Sequence, residues 1–424
     1  MEIIDKICST LLTILGALVF YKTILTVLGF ITKSKKFKET DKKYKYAIVI
    51  SARNEAKVIG NLLDSINNQT YDSSLITTFV VADNCTDDTY EVAKSKGAIV
   101  YERFNKEYIS KGYALRYLFD KIDRDYKISS FDAFLVFDAD NLLNPTYMHE
   151  MNKAYANKAK LITSYRNTKN FDTNFISASY GIHFYRHSMI RHRPRTLLNL
   201  GTQLAGTGYL IDSSLLVDGW NYVSLTEDAE FTMSAISKKI KVDYCEAAEF
   251  FDEQPVDLAT ALKQRTRWEK GRFIEFTKHG YEVFKGIFKY RSFTCYDLFF
   301  SYFPYSLVTT ILGLIYPTTI FLYNILSDTG YDLSVMLRNV GTYFLTLYLS
   351  ALLSGVLTVI RERKNIHCKT YKLIFFLILW PWFDLIATPI LIVSMFMKVK
   401  WKQIDHCDGR KIEDIIPRNK KSTA

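Results

Sequence analysis

An α/β domain with a mainly parallel sheet, fenced by membrane-spanning segments, is the architecture this 424-residue sequence predicts. Three observations carry it. Short apolar runs alternate with amphipathic stretches from Tyr46 onward, polar clusters follow the apolar runs, and four longer apolar runs flank the block. Regular alternation of strand and helix implies a parallel sheet, and such sheets bind ligands beyond the carboxyl ends of their strands.

The first long run, Leu11 to Ile31, crosses a bilayer core of about 30 Å at roughly 1.5 Å per residue. It has no small-residue cleavage site, so residues 8–32 read as an uncleaved anchor. Lys22 near its middle costs roughly 3 kcal/mol in hydrocarbon unless it snorkels or meets a partner helix. Lys33 to Lys45 holds seven lysines against two acids, which sets this side, and the domain after it, in the cytoplasm.

The domain itself is expected over residues 46–290. Ala47-Ile48-Val49-Ile50-Ser51 is a buried strand, followed by a helix from Ala56 to Asn67 with Val58, Ile59, Leu62, Leu63 and Ile66 inward. Phe79 to Asp83 is the next strand, then a helix from about Thr86, the strand Ala98 to Tyr101, a helix through Tyr113 to Ile122, and the strand Phe134 to Phe137.

A C-terminal membrane region is expected over residues 296–397, with runs at Tyr305 to Leu326, Val340 to Ile360 and Leu373 to Met397. The basic loop Arg361 to Lys369 belongs inside. The last run is interrupted at Trp380-Pro381-Trp382 and contains Asp384. One kinked span, an interfacial helix followed by a span, and a short hairpin all fit it. Residues 398–424 form a basic tail, with Lys398, Lys400 and Lys402 favouring the cytoplasm.

The net charge of +11 is concentrated beside the spans and in Arg186 to Arg195, so membrane lipids rather than nucleic acid account for it. Tyr185 to Arg195 reads as an interfacial element. His183 and His187 have a metal-pair spacing without a third ligand, and a membrane-surface helix is preferred for them. The six cysteines form no CxxC pair and are expected as reduced thiols.

Function is written at the strand ends. Val136-Phe137-Asp138-Ala139-Asp140 puts two carboxylates on one strand face, with Asn144-Pro145 opening the chain beyond them. That arrangement suits a hard divalent cation shared with phosphate oxygens, and it equally suits an acidic helix start. Glu55, after the first strand, and Asp83-Asn84-Cys85-Thr86-Asp87-Asp88, after the second, converge on the same edge, although the latter are also good capping residues. No glycine-rich phosphate loop precedes these helices, and Lys111-Gly112 supplies a single cation.

Two further motifs follow in order, Thr226-Glu227-Asp228 and Gln264-Arg265-Thr266-Arg267-Trp268. Together with Asp83 and Asp138-Ala139-Asp140 they resemble the family-2 glycosyltransferases, over roughly Ala47 to Gly271. The likeness is greatest to the membrane-embedded branch of cellulose, hyaluronan, chitin-oligosaccharide and poly-N-acetylglucosamine synthases. The resemblance implies a glycosyltransferase A type fold and an inverting enzyme of the cell membrane. It would use a UDP-sugar, UDP-N-acetylglucosamine or UDP-glucose favoured, with Mg2+ or Mn2+.

Under that resemblance Asp83 and Glu55 serve the donor, and Asp138 and Asp140 hold the metal and diphosphate. Lys111 and Arg267 add positive charge beside the leaving group. Asp228 is the general base, accompanied by Thr226 and Glu227, which also suit the start of a helix from Ala229 to Ile236. Gln264 and Trp268 meet the acceptor. The expected acceptor is a growing β-linked glycan fed into a membrane channel; the alternative is one sugar placed on a polyprenyl phosphate or glycolipid, its phosphate held by Arg186 to Arg195. A partner subunit is not specified. The chain departs from the cellulose synthases in having Ala205-Gly206-Thr207-Gly208 where they carry a cysteine-containing acceptor motif.

Overall fold

The computed structural model describes residues 2–327, 333–401 and 403–416. Helices α1 (Glu2–Val19) and α2 (Tyr21–Ile31) lead into an eight-stranded sheet. In chain order the domain runs β1 (Tyr46–Ala52), α3 (Ile59–Asn67), β2 (Ile76–Asp83), α4 (Thr89–Ser95), β3 (Ile99–Arg103), α5 (Lys111–Tyr126), β4 (Ala133–Asp138), β5 (Leu142–Leu143) and α6 (Tyr147–Ala156). It continues through β6 (Leu161–Thr168), α7 (Phe175–Arg186), a π-helical turn at His187–His192, α8 (Arg193–Leu197), β7 (Tyr209–Asp212), α9 (Glu227–Ser237), β8 (Val242–Asp252) and α10 (Leu258–Lys289). The spatial order is β3-β2-β1-β4-β7-β6-β8-β5. β1, β2, β3 and β4 pair in parallel, as do β6 and β8, while β7 and β5 run against their neighbours.

Alternation along β1 explains why its residues are buried without a polar face. Tyr46, Ile48, Ile50 and Ala52 enter one core with Leu62 and Ile66 of α3 and Met148 and Met151 of α6. Ala47 and Val49 enter the other, with Leu115, Leu118 and Ile122 of α5 and Phe231 of α9.

Two expected helix starts move inward. α3 begins at Ile59 because Asn54 takes a positive φ of 52° and the Ala56 amide donates to Asp87 Oδ2 at 3.1 Å. α4 begins at Thr89, since Thr86 donates its amide to Asn54 Oδ1 at 2.7 Å and Asp87 accepts from the Thr89 amide at 3.1 Å. Thr86 and Asp87 thus tie two strand-end turns together.

After α10 come α11 (Phe293–Tyr302), α12 (Tyr305–Thr310), α13 (Tyr316–Leu326), α14 (Leu333–Glu362), α15 (Thr370–Leu385) and α16 (Ala387–Phe396). Among the described residues four helical stretches are long and apolar enough to cross a membrane: Lys6–Ile31, Tyr305–Leu326, Leu333–Asn365 and Thr370–Phe396. The last is one continuous stretch with Pro381 inside α15. Lys22 finds a partner helix, donating to the Phe300 carbonyl of α11 at 2.8 Å. Asp384 is paired with Arg186 at 2.6 Å, which ties α15 to α7.

Two expectations are corrected. Arg186 to Arg195 is not a surface strip: Arg193 and Arg195 are 2% and 4% exposed. Arg193 is closed by Glu246 and Glu362, and Arg195 by Asp297. Folding pulls the segment inward because acids elsewhere in the chain meet these arginines. The tail is also more than a basic membrane flank. Residues 401–416, Lys402 aside, dock on the domain: Asn61 Nδ2 donates to the Gly409 carbonyl at 2.9 Å, and Ile412 packs with Leu142 and Phe251. Lys402 and residues 417–424 lie outside the described residues.

Candidate active site

Parallel pairing brings the ends of β1, β2 and β4 to one edge, with Ala52 opposite Ala82 and Ser51 opposite Asp138. A cavity of about 280 Å3 opens there, and all eleven side chains singled out from sequence line it: Glu55, Asp83, Lys111, Asp138, Asp140, Thr226, Glu227, Asp228, Gln264, Arg267 and Trp268.

Asp83 ends β2 and receives Arg103 Nη1 from β3 at 2.5 Å and Asn84 Nδ2 at 3.0 Å. Burial pushes its carboxyl up in spite of Arg103. Asn84 sits at a φ of 54° and bridges to Asn105 through both amide atoms, which fixes the turn.

Lys111 opens α5, whose N-cap Ser110 accepts from the Tyr113 amide at 3.3 Å. Its ammonium lies 2.5 Å from Asp138 Oδ1, 2.7 Å from the Gly206 carbonyl and 3.9 Å from Glu227 Oε1. Burial works against both charges of the Lys111–Asp138 pair, but their mutual attraction outweighs it, raising the lysine and lowering the aspartate. The Gly206 carbonyl is presented by a loop with φ of 83° at Gly206 and 65° at Gly208. A Cβ on Gly208 would lie 2.2 Å from the Phe250 ring.

Asp140 Oδ2 accepts the Glu253 amide at 3.0 Å. Beside it Asp252, at the end of β8, is held by Arg166 and by Asn141 Nδ2 at 2.7 Å. Burial, with Asp140 and Asp138 close by and Arg166 opposing, pushes Asp252 up to about 7. Hard carboxylate oxygens with excess negative charge are the donor set a divalent cation such as Mg2+ or Mn2+ takes, so the residues fit one.

Thr226 is the N-cap of α9 by position, but its hydroxyl has no hydrogen-bond partner among the described residues. Gly271 of α10 packs against it so closely that a Cβ would lie 2.5 Å away. Glu227 and Asp228 therefore occupy the first helical turn, two residues earlier than the Ala229 start expected. Burial pushes both carboxyls up, with Lys111 and Arg267 opposing, and the neighbouring Asp228 adds to the rise at Glu227.

Gln264, Arg267 and Trp268 share a face of α10 through their i, i+3, i+4 spacing. Arg267 Nη1 donates to the Leu225 carbonyl at 3.1 Å, and Gln264 Oε1 is buried without a partner among the described residues. Trp268 stacks over His183 at 6.3 Å and meets the Tyr180 ring edge at 5.8 Å.

The sequence reading missed Arg103, Arg166, Asp252, Glu253 and the tail. Position at the end of β3 or β8 was the available signal for Arg103 and Asp252. Nothing local marked His406, whose Nδ1 meets Glu55 at 2.9 Å, or Gln403, which donates to the Arg53 carbonyl at 2.7 Å. The Glu253 carboxylate accepts the Cys407 and Asp408 amides, each at 3.0 Å, and so straps the tail beside the cavity, which Trp401, Gln403, Ile404 and His406 line. His183 and His187 line the cavity instead of facing a membrane surface.

A family model described as "Glycosyltransferase like family 2" matches residues 44–271, more than half the chain. The probable glycosyltransferase YdaM of Bacillus subtilis is 24% identical over 361 residues, covering 84% of this chain and 83% of that protein. The low-salt glycan biosynthesis hexosyltransferase Agl6 of Haloferax volcanii is 34% identical over 96 residues, 23% of this chain and 22% of that one. Among solved structures, the mannosyltransferase PcManGT from Pyrobaculum calidifontis, in complex with GDP-Man and Mn2+, aligns with a TM-score of 0.50. Its identity is 14%, over 83% of this chain and 98% of that chain, a likeness of fold. The chain belongs to the family-2 glycosyltransferases, and its curled, mostly parallel sheet has the A-type glycosyltransferase fold.

Proposed function

We propose that this chain is an inverting, divalent-metal-dependent glycosyltransferase that takes a hexosyl or N-acetylhexosaminyl group from a UDP-sugar and extends a β-linked glycan at the cytoplasmic face of the cell membrane. The observation that carries the reading is the cavity itself. It gathers the buried Glu227 and the half-buried Asp228 into one lining with Asp138, and Lys111 reaches from Asp138 to Glu227 at the carboxyl edge of the sheet.

In this reading Asp83 and Arg103 receive the nucleoside, and Glu55 anchors the tail strap over the donor. Asp138 and Asp140 would hold Mg2+ or Mn2+, which when bound neutralises charge on the leaving diphosphate. Lys111 and Arg267 add fixed positive charge beside the same oxygens. Asp228 takes the proton of an acceptor hydroxyl as its oxygen attacks the anomeric carbon, and the single displacement turns an α-linked donor into a β-linked product. The raised carboxyl of Asp228 makes it a stronger base than a solvated aspartate. Trp268 offers an aromatic face to the acceptor and Gln264 an unpaired carbonyl.

The four apolar stretches support residence in the membrane, with residues 8–32 as anchor, 46–290 as the catalytic domain and 296–397 as the membrane region. A second reading, one sugar placed on a lipid-linked acceptor, is favoured by Arg191 and Arg272, which line the cavity without an ion-paired acid among the described residues.

The test is incubation of the protein in lipid nanodiscs with Mg2+ or Mn2+ and a panel of UDP-sugars, with GDP-mannose alongside, followed by mass spectrometry. A ladder of repeating units supports chain extension. A single added sugar selects the second reading, and turnover of GDP-mannose alone overturns the donor assignment.

A further inference from the structure

Outside the catalytic cavity, α9 and α10 gather the one group of three His, Cys, Asp or Glu side chains, among the described residues, whose candidate ligand atoms all lie within 4.8 Å of one another. Glu230 of α9 and Glu275 and His279 of α10 make it up, and none of the three lines the cavity. Glu275 and His279 follow Gly271 at successive helical turns, on the face of α10 that presses on Thr226 at the start of α9. His279 Nε2 lies 3.5 Å from Glu275 Oε2 and 3.9 Å from Glu230 Oε1.

The cluster is short of donors. Glu275 is 0% exposed, and neither of its carboxylate oxygens has a hydrogen-bond partner among the described residues. Nε2 of His279 is buried without one there as well. Glu230 is better served: Oε2 accepts the Val223 and Ser224 amides at 3.0 and 3.1 Å, and Oε1 meets Lys278 Nζ. Two buried carboxylates thus have one ion-paired lysine between them, and a buried carboxylate without donors carries a large desolvation cost. Burial and the nearby Glu230 push the Glu275 carboxyl up to about 7, with Ser224, His279 and Lys278 opposing. A proton on Glu275 or His279 would neutralise part of this charge. A cation would neutralise it and engage all three ligand atoms at once.

The spacing suits a cation. Two ligand atoms each about 2.1 Å from a tetrahedral metal lie about 3.4 Å apart, close to the two distances from His279 Nε2. One imidazole nitrogen with two carboxylates is a mixed donor set that suits Zn2+, whereas Mg2+ takes oxygen ligands and keeps several waters. Lys278 has a half-exposed side chain and can turn to water when a cation takes Glu230 Oε1.

We propose that Glu230, Glu275 and His279 form a site for Zn2+ or a similar borderline divalent cation, separate from Asp138 and Asp140, that fastens α9 to α10. Water completes the coordination. The same Glu230 carboxylate holds the loop before Thr226-Glu227-Asp228, and α10 carries Gln264, Arg267 and Trp268. A cation here therefore braces the two helices that supply those motifs. The site stands on its own ligands and its test reads the metal, independently of sugar transfer.

The test is Zn2+ binding to the full, untagged chain in lipid nanodiscs with Mg2+ in excess, by equilibrium dialysis with metal analysis and by the visible absorption of Co2+ put in its place. The wild type should hold one Zn2+ per chain, and the double variant Asp138→Asn, Asp140→Asn should hold it still. Glu275→Gln and His279→Gln should each weaken binding by more than about 100-fold, the upper range for loss of an outer-shell partner. Lys278→Met should tighten it about two- to fivefold, since Glu230 Oε1 then leaves no ion pair. Zn2+ should raise the Tm of the wild type and of Lys278→Met, and of neither glutamine variant.

A wild type that holds no Zn2+ overturns the site and leaves a carboxyl cluster neutralised by protons and Lys278. Zn2+ that survives both glutamine variants, or that is lost with Asp138 and Asp140, overturns it too, because the metal then sits elsewhere. Should the glutamine variants fail to fold by circular dichroism, Lys278→Met decides: unchanged or weaker Zn2+ binding there overturns the site, and tighter binding supports it.

Discussion

The two ends of the cavity follow opposite electrostatic plans. At the end proposed for the donor Asp83 meets Arg103, Asp138 meets Lys111, Asp252 meets Arg166 and Glu55 meets His406. At the other end Arg191 and Arg272 face neutral histidines and aromatic rings. Paired charges hold one another in place, so the donor end is organised before a substrate arrives. Half-buried arginines without a carboxylate partner among the described residues carry an electrostatic cost that a bound anion relieves. A single segment shows both plans, because Arg195 is locked to Asp297 while Arg191, four residues earlier, is open.

The sharpest test of the division is Asp228→Asn. It should lower transfer about 10²- to 10⁴-fold, with donor affinity by calorimetry kept; loss of donor binding would move Asp228 to the paired end. Next, Arg195→Met strands the buried Asp297 carboxylate and should lower stability by about 3–5 kcal/mol in denaturant titration. Arg103→Gln leaves Asp83 without its counter-charge and should raise donor KM about 10- to 100-fold in initial-rate assays.

Protonation gives a smaller, graded effect. Burial raises the Asp228 carboxyl, so it gains its proton at a higher pH than a solvated aspartate. kcat should therefore fall as pH drops through that raised pKa, by about tenfold per unit, with the limb above the usual carboxylate range and absent in Asp228→Asn. Stability runs the other way, since the folded state binds this proton more tightly than the unfolded chain and gains from it as pH falls toward the unfolded pKa. The smallest effect is expected from Arg191→Met, which removes a half-buried charge with no ion pair among the described residues and should leave stability within about 1 kcal/mol or raise it. A loss as large as that of Arg195→Met would break the comparison.

Much of this site could be read directly. Asp83 and Asp138 were legible because they terminate apolar strands, and a parallel sheet brings such ends to one edge. Gln264, Arg267 and Trp268 were legible because helical spacing puts them on one face. The segment Arg186 to Arg195 was misread for a physical reason: its four arginines look alike in sequence, and which of them is buried depends on Asp297, Glu246, Glu362 and Asp384, far away along the chain. The tail was misread likewise, because the partners of Gln403 and His406 lie near residues 53–55.

The sequence alone thus determined the alternating strands and helices, the apolar stretches and the acidic strand ends, since hydrophobic periodicity and strand-end chemistry act over a few residues. Only the tertiary structure decided which charges are neutralised by one another, that α10 presses Gly271 onto Thr226, and that Trp401, Gln403, Ile404 and His406 of the tail line the cavity. Those outcomes depend on pairings between distant segments, and a carboxylate carries no local mark of the arginine it will meet.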